Sequence, residues 1–268
     1  MLFVVAVGAV AGALGALLGI GGGVFLVPLL LLVLQLPMHQ AAGISLMTVI
    51  ATSSAVSAQT ARRQLVNLRL GMVLEIVTAA GALAGGLTAS LFSERTLTLL
   101  FSMVTASIAV SMLGRIERRN VITDLSTPVG WFGGRFFDVE AHQDVVYRVR
   151  RMPVALVASL VAGNLSGLLG IGGGVLKVPA LNIWCGVPMR AAAATSAFML
   201  GVTALASVPI YYARGSVVPE LAAAAVLGVQ VGTHGGMRLS HRMRARWIKM
   251  LMALVLFAVS ALMLTRLA

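Results

Sequence analysis

Charge is scarce in this chain. Only 10% of its 268 residues are charged, while 59% are hydrophobic; soluble domains carry about 25% charged residues. A soluble fold of this size could not hide so much apolar side chain, so a soluble domain is excluded and lipid is the solvent that fits. Acidic residues are scarcer still, 8 against 20 Lys and Arg, for a net charge of +12. The basic residues cluster beside long apolar runs and form no stripe with interleaved aromatics. Membrane topology and anionic lipid head groups therefore explain them better than nucleic acid does. Cysteine occurs once, at Cys185, which excludes a disulfide within the chain and fits a small buried hydrophobe. No hydrolytic triad, no metal-ligand spacing and no pair of carboxylates inside the apolar runs is present, which argues against an enzyme. Nothing in the sequence calls for a cofactor or a metal. The run from Leu2 has no basic leader and no convincing cleavage site, so it is expected to be the first membrane helix rather than a removed signal.

What the sequence does have is internal symmetry. Gly12–Leu31 reads GALGALLGIGGGVFLVPLLL and Gly163–Asn182 reads GNLSGLLGIGGGVLKVPALN, an offset of 163 − 12 = 151. The same offset aligns Pro37-Met38 with Pro188-Met189, Ser45 with Ser196, Thr52 with Thr203, Arg63 with Arg214, Gly81 and Gly85 with Gly232 and Gly236, Arg95 with Arg246 and Arg115 with Arg266. One register held without a gap over so long a stretch marks a duplicated structural unit. We expect an all-α polytopic membrane protein with a first repeat over 1–115, a connector over 116–152 and a second repeat over 153–268.

Each repeat reads as five helical pieces: 2–18, 24–36, 41–60, 71–91 and 96–114 in the first, and 153–169, 175–186, 191–211, 218–237 and 247–265 in the second. Crossing the hydrocarbon takes about 20 residues. The pieces 24–36 and 175–186 are too short for a straight crossing and follow the glycine breaks Gly19–Gly23 and Gly170–Gly174. Each repeat therefore opens with a re-entrant or broken helix pair, followed by three transmembrane helices.

Arginine placement suggests orientation. Residues 61–70 carry Arg62, Arg63 and Arg69, whereas the equivalent loop 212–219 carries Arg214, offset by Glu220. Conversely 238–249 carries Arg238, Arg242, Arg244, Arg246 and Lys249, while Glu94 and Arg95 cancel at its counterpart. Positive loops stay cytoplasmic. Equivalent loops thus fall on opposite sides, which makes the repeats inverted, as in many secondary transporters. The termini are expected outside and the connector in the cytoplasm of a cell inner membrane. Arg115, Arg118, Arg119, Arg148, Arg150 and Arg151 flank that connector. Its middle, Trp131–Tyr147, is expected to form a small hairpin, and Pro153 to begin a helix.

The glycine breaks are the first candidate site. Glycine costs about 1 kcal/mol relative to Ala in a helix interior, and freed backbone groups in a membrane must face protein or water. Helices starting near Val24 and Val175 would aim unpaired N–H groups and positive dipole ends at that spot. Two such ends, related by inverted symmetry, can converge on one anion, which assigns Gly21, Gly22, Gly23, Gly172, Gly173 and Gly174 to a substrate site. The alternative is that the glycines only permit close helix packing. A dinucleotide-binding loop fails on context, because no strand precedes the glycines and no acidic residue follows at the required spacing.

Lys177 lies inside an apolar run, where the other half has Leu26. An intramembrane lysine normally faces a cavity or a partner, so anion contact is expected; snorkelling to the interface is the alternative. Ser45, Thr48 and Thr52 share one helix face, answered by Thr195, Ser196 and Thr203. These hydroxyls either donate to an anion or bond back to helix carbonyls. Asn164 either reaches the site or bonds across helices. His234 is a candidate proton carrier, with a packing role as the alternative. Glu75 is read as interfacial.

These residues carry a family resemblance. Gly167–Leu181, GLLGIGGGVLKVPAL, followed by Val187–Met199, VPMRAAAATSAFM, resembles the sulfite exporter TauE/SafE family of membrane permeases. The likeness covers nearly all the chain and is strongest over Gly167–Met199. In the first half Gly43-Ile44-Ser45 stands where the family often has a small residue, Thr and Ser. The resemblance implies a permease for a small sulfur oxyanion or organosulfonate, such as sulfite, thiosulfate or sulfoacetate, moved in either direction. Its expected partners are that anion and membrane lipid. An anion channel and a non-transporting membrane scaffold are the competing readings, and oligomeric state is open, a homodimer being one option.

Overall fold

A computed structural model describes residues 1–18, 20–60, 65–113, 120, 122, 129–138, 143–240 and 245–265. Several residues used above for register or orientation lie outside them: Gly19, Arg62, Arg63, Arg115, Arg118, Arg119, Arg242, Arg244 and Arg266. The described chain is helical apart from one hairpin. The first half holds α1 (Leu2–Leu18), α2 (Gly23–Val33), α3 (Met38–Thr60), α4 (Leu68–Thr88, extended by a 3-10 turn over Ala89–Leu91) and α5 (Glu94–Leu113). The second holds α6 (Met152–Leu169), α7 (Gly174–Ile183), α8 (Met189–Ala213), α9 (Pro219–Ser240) and α10 (Ala245–Thr265). Between them β1 (Gly134–Asp138) pairs antiparallel with β2 (Gln143–Tyr147), from Gly134 opposite Tyr147 to Asp138 opposite Gln143.

Four of the described helices, α3, α4, α6 and α8, are long and apolar enough to cross a membrane. The outward side chains fit that solvent: Ile76, Leu87, Met103, Val157, Leu227, Val231 and Phe257 are all exposed. This is the surface of a multi-pass membrane protein, in which backbone polar groups are satisfied inside helices and lipid covers apolar side chains.

Packing follows the duplication. With α1 matched to α6, α2 to α7, and so on, every major helix contact has a counterpart: α1 on α9 answers α6 on α4, α3 on α9 answers α8 on α4, and α5 on α7 answers α10 on α2. Two pairs, α3 on α8 and α5 on α10, are their own counterparts. The intimate contacts are glycine-mediated. On α9, Gly228, Gly232 and Gly236 lie against the carbonyls of Val5, Ala9 and Ala13 on α1; on α6, Gly163 and Gly167 lie against Thr78 and Ala82 of α4. Residue numbers rise together in both sets, so each pair runs parallel, with small residues four apart letting backbones touch.

At the centre α3 and α8 cross antiparallel. Gly43, near the start of α3, packs on Ser216 just past the end of α8. Ser53, further along α3, donates to Ala197 O at 2.6 Å and accepts from Gly201 N at 2.9 Å, nearer the start of α8. The connector docks where α4 begins: Asn67 Nδ2 donates to Phe132 O at 2.7 Å and to Tyr147 Oη at 3.1 Å, while Asn67 Oδ1 caps α4 by accepting from Leu70 N at 3.1 Å. The connector's other end holds the loop after α7, with Arg150 N donating to Cys185 O at 2.9 Å. Pro153 occupies the first turn of α6, after Arg151 in a left-handed conformation.

Candidate functional site

The described residues of both glycine breaks, 20–23 and 170–174, are buried, and they are packed against one another. A methyl group added at Gly23 would lie 2.7 Å from Gly170 O, and one added at Gly174 would lie 2.8 Å from Ile20 Cα. Gly21 and its repeat-equivalent Gly172 have φ of 76° and 78°, left-handed values that L side chains rarely adopt. Each faces the pair formed by Val49 and Leu200, themselves one repeat apart: added methyls would meet Leu200 Cδ1 at 3.2 Å and Val49 Cγ1 at 2.9 Å respectively. Both breaks therefore face the same two side chains. Here α2 and α7 begin, with backbone caps Gly22 and Gly173 and no side-chain cap at either start. Two electropositive helix starts thus share one buried neighbourhood.

The hydroxyls divide by role. Ser45 Oγ donates to Gly170 O at 2.6 Å, tying α3 to the opposite break. Thr48 and Thr52 donate back to Ser45 O and Thr48 O on their own helix, at 2.7 and 2.8 Å. Thr195 Oγ1 accepts from Asn67 N at 3.0 Å, at the base of α4 rather than at the breaks. Ser196, the equivalent of Ser45, is fully buried, and so is Ser166, whose Cβ would lie 3.4 Å from a methyl added at Gly173. Neither hydroxyl has a hydrogen-bond partner among the described residues. Asn164 is half-buried, and its backbone carries the contact with Gly81 and Gly85 of α4. His234 is exposed, with Nδ1 2.8 Å from Gln230 O one turn back on its own helix.

One expectation needs correcting, that for Glu75. Lys177 is buried as expected, but its ammonium already has a counter-charge: Nζ lies 3.5 Å from Glu75 Oε2. Glu75 is not interfacial but buried, at 8% exposure. Thr203 bridges the two, accepting from Lys177 Nζ at 3.4 Å and donating to Glu75 Oε1 at 2.7 Å. The carboxylate was misplaced because α4 begins at Leu68, three residues before the expected start, and its base is covered by the connector hairpin; Glu75 therefore sits well inside the helix. A sequence signal existed. Glu75 and Lys177 both break the repeat, with Val226 and Leu26 at the equivalent positions. Opposite charges that appear once in a duplicated apolar framework are candidates for a pair. Among the described residues no group of His, Cys, Asp or Glu is arranged to hold a metal.

The family model for the sulfite exporter TauE/SafE matches residues 4–263, nearly the whole chain. The chain belongs to the TauE/SafE family. A probable membrane transporter protein of Bacillus subtilis, YunE, is 27% identical over 262 residues, covering 95% of this chain and 94% of its own. A probable membrane transporter protein of Xylella fastidiosa is 31% identical over 213 residues, 79% of this chain and 73% of its own. No solved structure matches. This TauE/SafE member is accordingly a membrane transporter, and its relatives carry names of transporters rather than of enzymes.

Proposed function

We propose that this protein is a secondary transporter of the inner membrane that moves a small sulfur oxyanion or organosulfonate by alternating access. The observation that carries it is the mutual packing of the two glycine breaks, with the starts of α2 and α7 at one buried place. Backbone N–H groups and positive helix ends favour an anion there. Ser166 and Ser196 add buried donors in want of an acceptor, a shortage costing about 1–3 kcal/mol per group that an anion's oxygens would relieve. Lys177 adds the cation. The substrate site is thus read as Gly21, Gly22, Gly23, Ser45, Gly172, Gly173, Gly174, Lys177 and Ser196, with Ser166 joining it.

The antiparallel crossing of α3 on α8 supports inverted repeats. A two-fold axis that relates antiparallel crossing helices lies across their length, so it lies in the membrane plane if they span the bilayer. Repeats over 1–115 and 153–268 would then rock about this axis, exposing the breaks to one side at a time, with the 116–152 connector in the cytoplasm. The test is counterflow. Purified protein in liposomes loaded with unlabelled thiosulfate should take up labelled thiosulfate saturably, with competition by sulfite and alkylsulfonates but not by chloride. Lys177→Met should raise the half-saturating concentration at least about tenfold, the loss of one charge-assisted contact. Sustained conductance without saturation would indicate a channel instead, and no counterflow with any of these anions would remove the transport assignment.

A further inference from the structure

The Glu75–Lys177 pair is not part of the framework the two halves share. Val226 and Leu26 hold the equivalent places, so apolar residues stand at the repeat-equivalent positions of this buried ion pair. The pair also joins the halves: Glu75 is on α4 of the first, while Lys177 is in the first turn of α7, three residues past the break at Gly174. We propose that Glu75 is an internal stand-in for the transported anion, and that an incoming anion takes its place on Lys177 as Glu75 takes up one proton.

Resting on the transport reading above, this inference names its coupling ion. A carboxylate and a sulfonate or sulfite present the same face to an ammonium, namely oxygens that accept hydrogen bonds. The hydrogen-bond network has two settings. Thr203 Oγ1 donates to Glu75 Oε1 at 2.7 Å, and it has a second acceptor in Met199 O at 3.2 Å. It can therefore leave the carboxylate without losing its bond. Among the described residues Glu75 Oε2 has no hydrogen-bond partner, only the ion pair.

Charge balance fixes the proton. The pair as it stands is neutral. Adding a monoanion to an ionised pair would leave one uncompensated negative charge in the interior, which is strongly disfavoured. One proton from water, added to a Glu75 carboxylate oxygen, gives a neutral acid beside an anion–ammonium pair, and neutrality is restored. Among the described residues, the side chains bonded to or paired with Glu75 are Lys177 and Thr203. The helix α6, packed on α4, has no ionisable side chain. From α8 the group facing Glu75 is the Thr203 hydroxyl, and from α7 it is Lys177. His234 lies exposed on α9. A monoanion and one proton thus enter the site together; a dianion such as thiosulfate takes up the same proton and leaves its second charge to the electropositive starts of α2 and α7.

The test measures binding of methanesulfonate and of thiosulfate, neither of which changes its own charge around neutral pH, to the purified protein over a pH series. Wild-type affinity should strengthen by up to about tenfold for each unit of acidification, and calorimetry in buffers of different ionisation enthalpy should count one proton taken up per methanesulfonate bound. Glu75→Gln removes the competitor, so its affinity should be independent of pH and tighter than wild type in alkali. Lys177→Met should lose binding, and the doubly neutral Glu75→Gln/Lys177→Met should lose it too while unfolding at the wild-type temperature, which separates loss of the site from loss of the fold. A Glu75→Gln protein that keeps the wild-type pH slope, or wild-type binding without proton uptake, overturns the inference and leaves the transport reading standing. Wild-type protein that binds neither anion at any pH overturns both.

Discussion

Gly232 and Gly235 sit three residues apart on α9 and should respond oppositely to the same substitution. Replacing either with Ala removes the helix penalty of glycine, a gain of about 1 kcal/mol. At Gly235 nothing lies within 4 Å of the added methyl, so Gly235→Ala should keep that gain. At Gly232 the methyl would overlap Ala9 O and stand 2.8 Å from Ala9 Cα. That is backbone of a parallel helix, which cannot rotate away, so α1 must retreat by about an ångström. Overpacking of this kind costs about 1–3 kcal/mol, and the retreat also loosens the flanking contacts of Gly228 on Val5 and Gly236 on Ala13. Gly232→Ala should therefore be net destabilising, by up to about 2 kcal/mol, and the two variants should differ by about 1–3 kcal/mol. Thermal unfolding of both in one detergent, against wild type, is the assay. Equal shifts of the same sign would refute backbone contact between α1 and α9.

Two further outcomes follow from neighbouring geometry. Ser45→Ala strips Gly170 O of its 2.6 Å donor and should cost about 1–3 kcal/mol, whereas Ser196→Ala removes a hydroxyl without a partner among the described residues and should cost nothing or stabilise; calorimetry that ranks Ser196→Ala as the more damaging would contradict the assignment. Cys185 is fully buried, and burial pushes its thiol from the ordinary 9.0 up to about 11, with Arg151 offsetting part of the effect. Thiolate should be roughly a hundredfold scarcer than for a free cysteine at mildly alkaline pH, so iodoacetamide should modify the thiol only after denaturation, as read by mass spectrometry. The folded thiol holds its proton more tightly than the unfolded one, so its contribution to stability is intact below pH 9.0 and falls as pH climbs towards about 11.

Much of the fold was legible because a duplication writes every signal twice. The glycine breaks, the short helices behind them and the hairpin over Trp131–Tyr147 could each be read from local composition. Helix ends were off by a few residues where tertiary contacts extend them: α4 begins at Leu68 because Asn67 both caps it and binds the connector. The hydroxyl face of α3 was legible as a face but not as a set of bonds. Thr48 and Thr52 turn to their own helix and Ser45 to the far break, a choice set by neighbours in the other half. Glu75 was misjudged because a carboxylate near a helix end reads as interfacial, and its partner lies in the other half. Two opposite charges with apolar residues at their equivalent positions were the available clue.

That failure of the repeat has an energetic consequence. Were the halves interchangeable, any conformation and the one obtained by swapping their parts would be degenerate, and neither would be preferred at rest. Glu75 and Lys177 opposite Val226 and Leu26 are among the differences that lift the degeneracy. In the rocking mechanism proposed above, this buried ion pair is one contact that biases the chain between its two arrangements.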